Sequence, residues 1–262
     1  MRTSRIKLST QLLPCAAAAI AAVLFLSPVE AAAQALADYT ATPPFIADTV
    51  PPNVLMIMDN SLSMNTSAYH ELGEAYDPAR QYNGYFAPTK CYSHASNKFT
   101  PGADKAATGN PCAAAEPWLG NFLNYMTMTR LEITKWVMMG GKCTPRAVAG
   151  TCYPGGTLVL ETAEAVGDIV MDGTGITPYG NRCFTRDGDD LSVYSGAVCS
   201  GVNTDFKLKA DIAAEPNGVV QAVGNKARFG LMEFKSSGDG GKILAEVGSN
   251  LVSMVNAIEN TT

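Results

Sequence analysis

Pro52-Asn53-Val54-Leu55-Met56-Ile57-Met58-Asp59-Asn60-Ser61-Leu62-Ser63-Met64 sets an unbroken apolar run against an abrupt acidic and hydroxylated end. Residues 54–58 are apolar at every position, not at alternate ones. That is the pattern of a strand buried on both faces, as in the middle of a parallel sheet. In open α/β sheets, ligands bind beyond the carboxyl ends of such strands, where the chain turns and side chains converge. Asp59, Ser61 and Ser63 therefore offer one carboxylate and two hydroxyls from one short loop. Hard divalent cations take oxygen ligands, and Mg²⁺ is held by one or two carboxylates while it keeps several waters. The same residue types have a plainer use, which is to cap a following helix.

Composition narrows the function classes. The chain has 262 residues, enough for one large domain or two small ones, with 47% hydrophobic and 16% charged residues. A net charge of −5 with scattered Lys and Arg gives no footprint for nucleic acid. Two histidines, His70 and His94, leave no room for an imidazole-rich metal cluster.

The N-terminus has the layout of a secretory signal peptide. Arg2, Arg5 and Lys7 precede an apolar run over residues 12–26, followed by Pro28 and small residues around Ala33 and Ala37. The run is shorter than the roughly 20 residues a membrane-spanning helix needs. The expectation is a signal over residues 1–37, cleaved after Ala33 or Ala37, and an exported chain with no membrane span after cleavage. Cys15 leaves with the signal, and six cysteines remain. An even count in an exported chain argues for disulfides, and six cysteines allow 15 pairings. They fall into three local pairs, so the expected bonds are Cys91–Cys112, Cys143–Cys152 and Cys183–Cys199. No C-x₂-C pair supports zinc.

Residues 38–50 read as a proline-containing linker into a domain over residues 51–262. Residues 65–117 show no sustained periodicity and read as an insertion near the hydroxylated loop. From Trp118, apolar residues at Phe122, Met126, Ile133 and Trp136/Val137 recur at helical steps, with Leu131 and Met138 opposite and Gly140-Gly141 as the stop. One long helix covered on both sides is expected. Residues 142–205 read as a second irregular insertion, with a short strand over 158–161. Asp187, Asp189 and Asp190 fail the EF-hand spacing and read as a solvated acidic turn. Residues 206–209 alternate like a strand, and residues 216–224 suit a short helix. Residues 227–234 read as a second core strand, joined by a glycine-rich turn to a hairpin partner over 242–247. Ser249 is placed to cap a final helix with Leu251, Val252, Val255 and Ile258 on one face.

Asp59-Asn60-Ser61-Leu62-Ser63 resembles the metal-ion-dependent adhesion site (MIDAS), D-x-S-G-S, of von Willebrand factor type A (vWA) domains, with Leu62 in the glycine's place. Further phrases resemble the type IV pilus tip-associated adhesin family (PilY). They are Pro52-Asn53-Val54-Leu55 before the hydroxylated loop, Tyr82-Asn83-Gly84-Tyr85-Phe86, Gly120-Asn121-Phe122-Leu123-Asn124-Tyr125, Thr127-Met128-Thr129-Arg130, Pro216-Asn217-Gly218-Val219-Val220-Gln221 and Arg228-Phe229-Gly230-Leu231-Met232, in family order. The resemblance implies an incomplete vWA fold, Rossmann-like, doubly wound and mostly parallel, with two disulfide-containing insertions. It also implies an N-terminal piece of a longer protein, whose later loops supply a threonine and an acid and whose propeller lies beyond this chain.

Its functional implication is a non-enzymatic adhesin and pilus-assembly factor, placed in the periplasm, on the outer surface or at the pilus tip. Asp59, Ser61 and Ser63 would hold Mg²⁺, or another divalent cation such as Ca²⁺ or Mn²⁺. The implied partners are minor pilins or pilus-tip components, and a host or abiotic surface ligand with an acidic group. Two rivals stay open: an assembly scaffold with a vestigial metal loop, and a serine hydrolase pairing Ser61 or Ser63 with His70 or His94. The hydrolase lacks a Gly-x-Ser-x-Gly elbow.

Overall fold

The strand expected at residues 54–58 forms. The computed structural model describes residues 50–70, 74–144, 152, 156–160, 166–212, 217–235 and 240–261. The expected signal, nearly all of the linker and residue 161 of the expected short strand lie outside these. In chain order the first strands are β1 (Asn53–Met58), β2 (Lys90–Ala95), β3 (Lys98–Asp104) and β4 (Trp118–Leu119). Helices α1 (Gly120–Thr127) and α2 (Arg130–Met139) follow. Next come β5 (Cys143–Thr144), β6 (Thr157–Val159), β7 (Val166–Asp172), β8 (Asn181–Asp187), β9 (Asp190–Tyr194), β10 (Asn203–Lys207) and β11 (Lys209–Asp211). The chain closes with α3 (Val219–Val223), β12 (Arg228–Phe234), β13 (Gly241–Ala245) and α4 (Leu251–Glu259).

These strands form three sheets, ordered β1-β12-β13, β10-β9-β8-β7 and β4-β2-β3-β11-β6-β5. β1 and β12 pair in parallel from Asn53↔Arg228 to Met58↔Glu233, because all of the intervening chain serves as the crossover. β12 turns back tightly onto β13, so that pair is antiparallel. The fold is mixed α/β, and the expected mostly parallel, doubly wound sheet is not what the described residues form. Apart from β1–β12 and the single contact of β11 with β3, the strand pairs are antiparallel. Short connections impose this on neighbours in sequence such as β2–β3 and β8–β9. Ser96 and Asn97, with φ of 51° and 60°, make a two-residue hairpin between β2 and β3.

Both stretches expected to be irregular thus carry strands, and they share a core. Phe86, Tyr92, Phe99, Trp118, Phe122, Phe184 and Leu208 are buried in it. A second core lies under β1, β12 and β13, with Met58, Phe229, Leu231, Val255 and Ile258 buried. α2 is the wall between them. Its Ile133 and Trp136 pack on the first core, and its Leu131, Met138 and Met139 on the second.

The single long helix expected from Trp118 is two. Met128 and Thr129 are extended, and Thr129 starts α2 with a capping box. Its side chain accepts from Glu132 N, and the Glu132 carboxylate accepts from Thr129 N. Gly140, at φ 81°, ends α2 as expected. The buried Lys135 amine donates to the carbonyls of Glu259 and Thr261, tying α2 to the negative end of α4. Asn250, not Ser249, caps α4, and its inward residues are Met254, Val255 and Ile258.

β1 is not buried on both faces. Met58 is buried and Val54 and Met56 pack inward, while Leu55 and Ile57 are 50% and 57% exposed. Ile57, Met232 and Ile243 are register neighbours across the three strands, and Ile243 and Phe234 are also exposed. Among the described residues no strand pairs with the other edge of β1. An open edge beside a contiguous apolar face drives association. This chain should therefore self-associate with rising concentration, and the double variant Ile57→Lys/Ile243→Glu should be monomeric by light scattering, with a melting midpoint within a few degrees of wild type.

Candidate functional site

The loop after β1 is fastened on two sides. Asn60 Nδ2 donates to Phe234 O at 3.0 Å, joining the loop to the end of β12. Leu62–Asn65 form one 3-10 turn, in which Met64 N donates to Ser61 O at 2.9 Å. Thr66 Oγ1 donates to Ser63 O at 2.7 Å, and Arg130 Nη1, at the start of α2, reaches the same oxygen at 3.5 Å.

Within this frame the three residues singled out by the sequence share one exposed loop. Asp59 Oδ1 accepts from Ser61 N at 2.8 Å, and Ser61 Oγ lies 2.8 Å from Ser63 Oγ. Asp59 thus closes a turn on the residue that precedes the 3-10 helix and does not cap that helix, and Ser61, at the N-cap position, makes no side-chain cap bond either. Adjacent ligands on an octahedral ion with bonds of 2.0–2.1 Å stand about 2.9 Å apart, so the hydroxyl spacing suits such an ion. Each hydroxyl keeps lone pairs for it, and the carboxylate has a second oxygen. Among the described residues no three His, Cys, Asp or Glu side chains group to hold a metal, so a cation here would rely on hydroxyls. Thr261 lies beneath this rim: it is buried, with Oγ1 donating to Ala257 O at 3.2 Å and 3.8 Å from Met58 Sδ.

The other candidates are elsewhere. His70 is buried beside Tyr125 with Nε2 at 3.5 Å from Met126 O, and burial lowers its pKa. His94 lies between Phe99 and Phe206 with Nε2 at 3.3 Å from Lys207 O, and burial lowers its pKa also. Each imidazole turns to a backbone carbonyl, while the serine hydroxyls bond each other. In the acidic turn, Lys207 Nζ sits 3.0 Å from Asp189 Oδ1 and 2.8 Å from Asp190 Oδ2. These bonds, to Asp190 first, raise the Lys207 pKa, and the ammonium serves as that turn's cation.

The structure joins Cys91–Cys112, Cys143–Cys152 and Cys183–Cys199, with Cα separations of 5.6, 6.0 and 5.2 Å. The sequence reading passed over Glu233. Alternation along 228–234 puts it on the inward face with Phe229 and Leu231, and an acid at such a position is the signal that could have found it.

A sequence model of the family described as PilY1 homolog, small alpha/beta domain, matches residues 73–210, just over half of the chain. The chain belongs to this family. No curated protein and no solved structure matches it. The PilY1-homolog match spans β2 to β10, both helices between them and the aromatic core. β1 and the Asp59 loop precede it, and β12, β13 and α4 follow it. Membership makes this a type IV pilus-associated protein, and three disulfides accord with an extracytoplasmic location. Among the described residues no helix is long and apolar enough to cross a membrane.

Proposed function

We propose that this PilY1-homolog chain is an adhesin or pilus-assembly factor that grips a surface or pilus partner through a divalent cation at Asp59, Ser61 and Ser63. In this reading β1, β12, β13 and α4 open a vWA-like unit, and the matched small α/β domain is inserted between β1 and β12, with its α2 packed against that unit's core. The observation that carries it is the 2.8 Å contact of the two serine hydroxyls beside Asp59, at the carboxyl end of the parallel pair β1–β12. Asp59 would supply the charge, Ser61 and Ser63 neutral oxygens, and the Asn60–Phe234 bond would hold the loop against the sheet. The cation would present a positive centre that a partner's carboxylate completes. No bond is made or broken.

Mg²⁺ and Mn²⁺, added in turn to the metal-stripped chain, should raise its melting midpoint. At a concentration of about 100 Kd the gain is ~2.7 kcal/mol. Asp59→Ala should abolish it and abolish metal-dependent attachment of piliated cells. A wild-type chain whose midpoint ignores both ions sinks the proposal. The scaffold reading draws on the fact that the loop already satisfies itself, with Asp59 bonded to Ser61 and Ser61 to Ser63. Pilus assembly and attachment that persist in Asp59→Ala cells and in chelator would favour it.

A further inference from the structure

We infer that Glu233 is the second carboxylate of the cation site begun by Asp59, Ser61 and Ser63; this rests on the metal-loop reading above. Glu233 is the parallel partner of Met58, the residue just before Asp59. The residue just after Asp59, Asn60, is bonded to Phe234, the residue just after Glu233. Asp59 is thus bracketed across the strand pair by Glu233 and its neighbour, at the same carboxyl rim of the sheet. Paired strands stand about 4.8 Å apart, so the two acids come from adjacent backbone positions.

The state of the Glu233 side chain points to a ligand. The residue is only 8% exposed, and Oε2 is buried without a hydrogen-bond partner. Oε1 is ion-paired with Lys242 Nζ at 3.6 Å, beyond hydrogen-bond reach and on a lysine side chain that is 65% exposed, so the pair is water-screened and leaves Oε2 unsatisfied. A buried carboxylate is normally paired or coordinated, and an oxygen left orphaned carries its full desolvation penalty. The metal loop has the complementary deficit. One carboxylate and two neutral hydroxyls leave a divalent ion with a net positive charge, which Glu233 would neutralise. The Lys242 ammonium, in cross-strand register with Glu233, is then a competitor for the same oxygens.

Titration calorimetry of Mn²⁺ into the whole metal-stripped chain tests this. Glu233→Gln should weaken Mn²⁺ binding at least tenfold, Glu233→Asp less, and Lys242→Met should leave it unchanged or tighten it. A second readout needs no substitution to fold well. In the wild-type chain, substoichiometric Mn²⁺ should broaden the side-chain carboxyl ¹³C resonances of both Asp59 and Glu233. If Asp59→Ala abolishes binding while Glu233→Gln stays within twofold of wild type, or if the Glu233 resonance stays sharp while that of Asp59 broadens, Glu233 is excluded and the Asp59 loop stands. If the wild-type chain binds no Mn²⁺, both fall together.

Discussion

Arg186→Met should destabilise the protein by about 3–5 kcal/mol, the usual result of leaving one partner of a buried ion pair behind. Arg186 on β8 and Glu132 on α2 have fully buried side chains, and the guanidinium meets the carboxylate in a fork with both bonds at 2.8 Å. Arg186 also donates to the carbonyls of Thr127 and Gly188. Glu132 closes the capping box that separates α1 from α2. Methionine fills similar volume but leaves a carboxylate in a dry core and two carbonyls without their donor. In a chain of this size each kcal/mol moves the midpoint by about 2–4 °C, so a fall of roughly 10 °C is expected by calorimetry. Glu132→Met should be comparably damaging, because it strands the guanidinium. The double variant should lose markedly less than the two single losses added, since no bare charge remains. Additive losses would show that the two groups act independently and that the pair does not hold the four-stranded sheet to α2.

The sequence announces some of this architecture and hides the rest, for identifiable reasons. β1, β12 and β13 are legible because a continuous apolar run and a glycine-rich turn are signals within a few residues. The cysteines are legible because, among the six after Cys15, each partner is its nearest neighbour in sequence. The sheets between β1 and β12 are not. Their strands are two to seven residues long, and their buried faces mix apolar with polar groups, as at Phe184 and Arg186 in β8. The two-residue turn at Ser96-Asn97 lacks the glycine that usually marks one. Thr129 and Glu132 do carry a helix-start signature, which the stronger apolar period across Met128 obscures. At the site, Asp59, Ser61 and Ser63 are close in sequence and close in space. Glu233 reaches the same rim through strand pairing across 174 residues, and Arg186 meets Glu132 across 54.

The quoted phrases gain a physical reason from the fold: one docks on the end of α2, and two grip each other. Gly218 lies so close to the end of α2 that a Cβ would strike the backbone of Met138 and Met139, and Gln221 Nε2 donates to Met139 O at 2.8 Å. The tighter case is Asn124 against residues 82–86. Its Oδ1 accepts from Phe86 N at 3.0 Å, and its Nδ2 donates to Tyr82 O at 2.9 Å and Phe86 O at 2.6 Å. One α1 side chain thus supplies the bonds that a strand would give a loop having no ladder of its own. Gly84 sits against that amide, where a Cβ would come within 2.6 Å of Asn124 Oδ1.

Asn124→Leu keeps the volume and removes all three bonds in a fully buried place. Each stranded backbone group costs about 1–3 kcal/mol, and shared relaxation keeps the sum below three full penalties, so a loss of about 3 kcal/mol is expected. Asn124→Asp separates the roles. It keeps an acceptor for Phe86 N but turns a carboxylate oxygen toward two carbonyls, so it should be at least as damaging despite its near-identical shape. Hydrogen exchange gives the local readout: the Phe86 amide should lose its protection in Asn124→Leu and keep more of it in Asn124→Asp. Equal protection of Phe86 in wild type and Asn124→Leu would mean that aromatic packing of Tyr82 and Phe86, not the α1 amide, holds this loop.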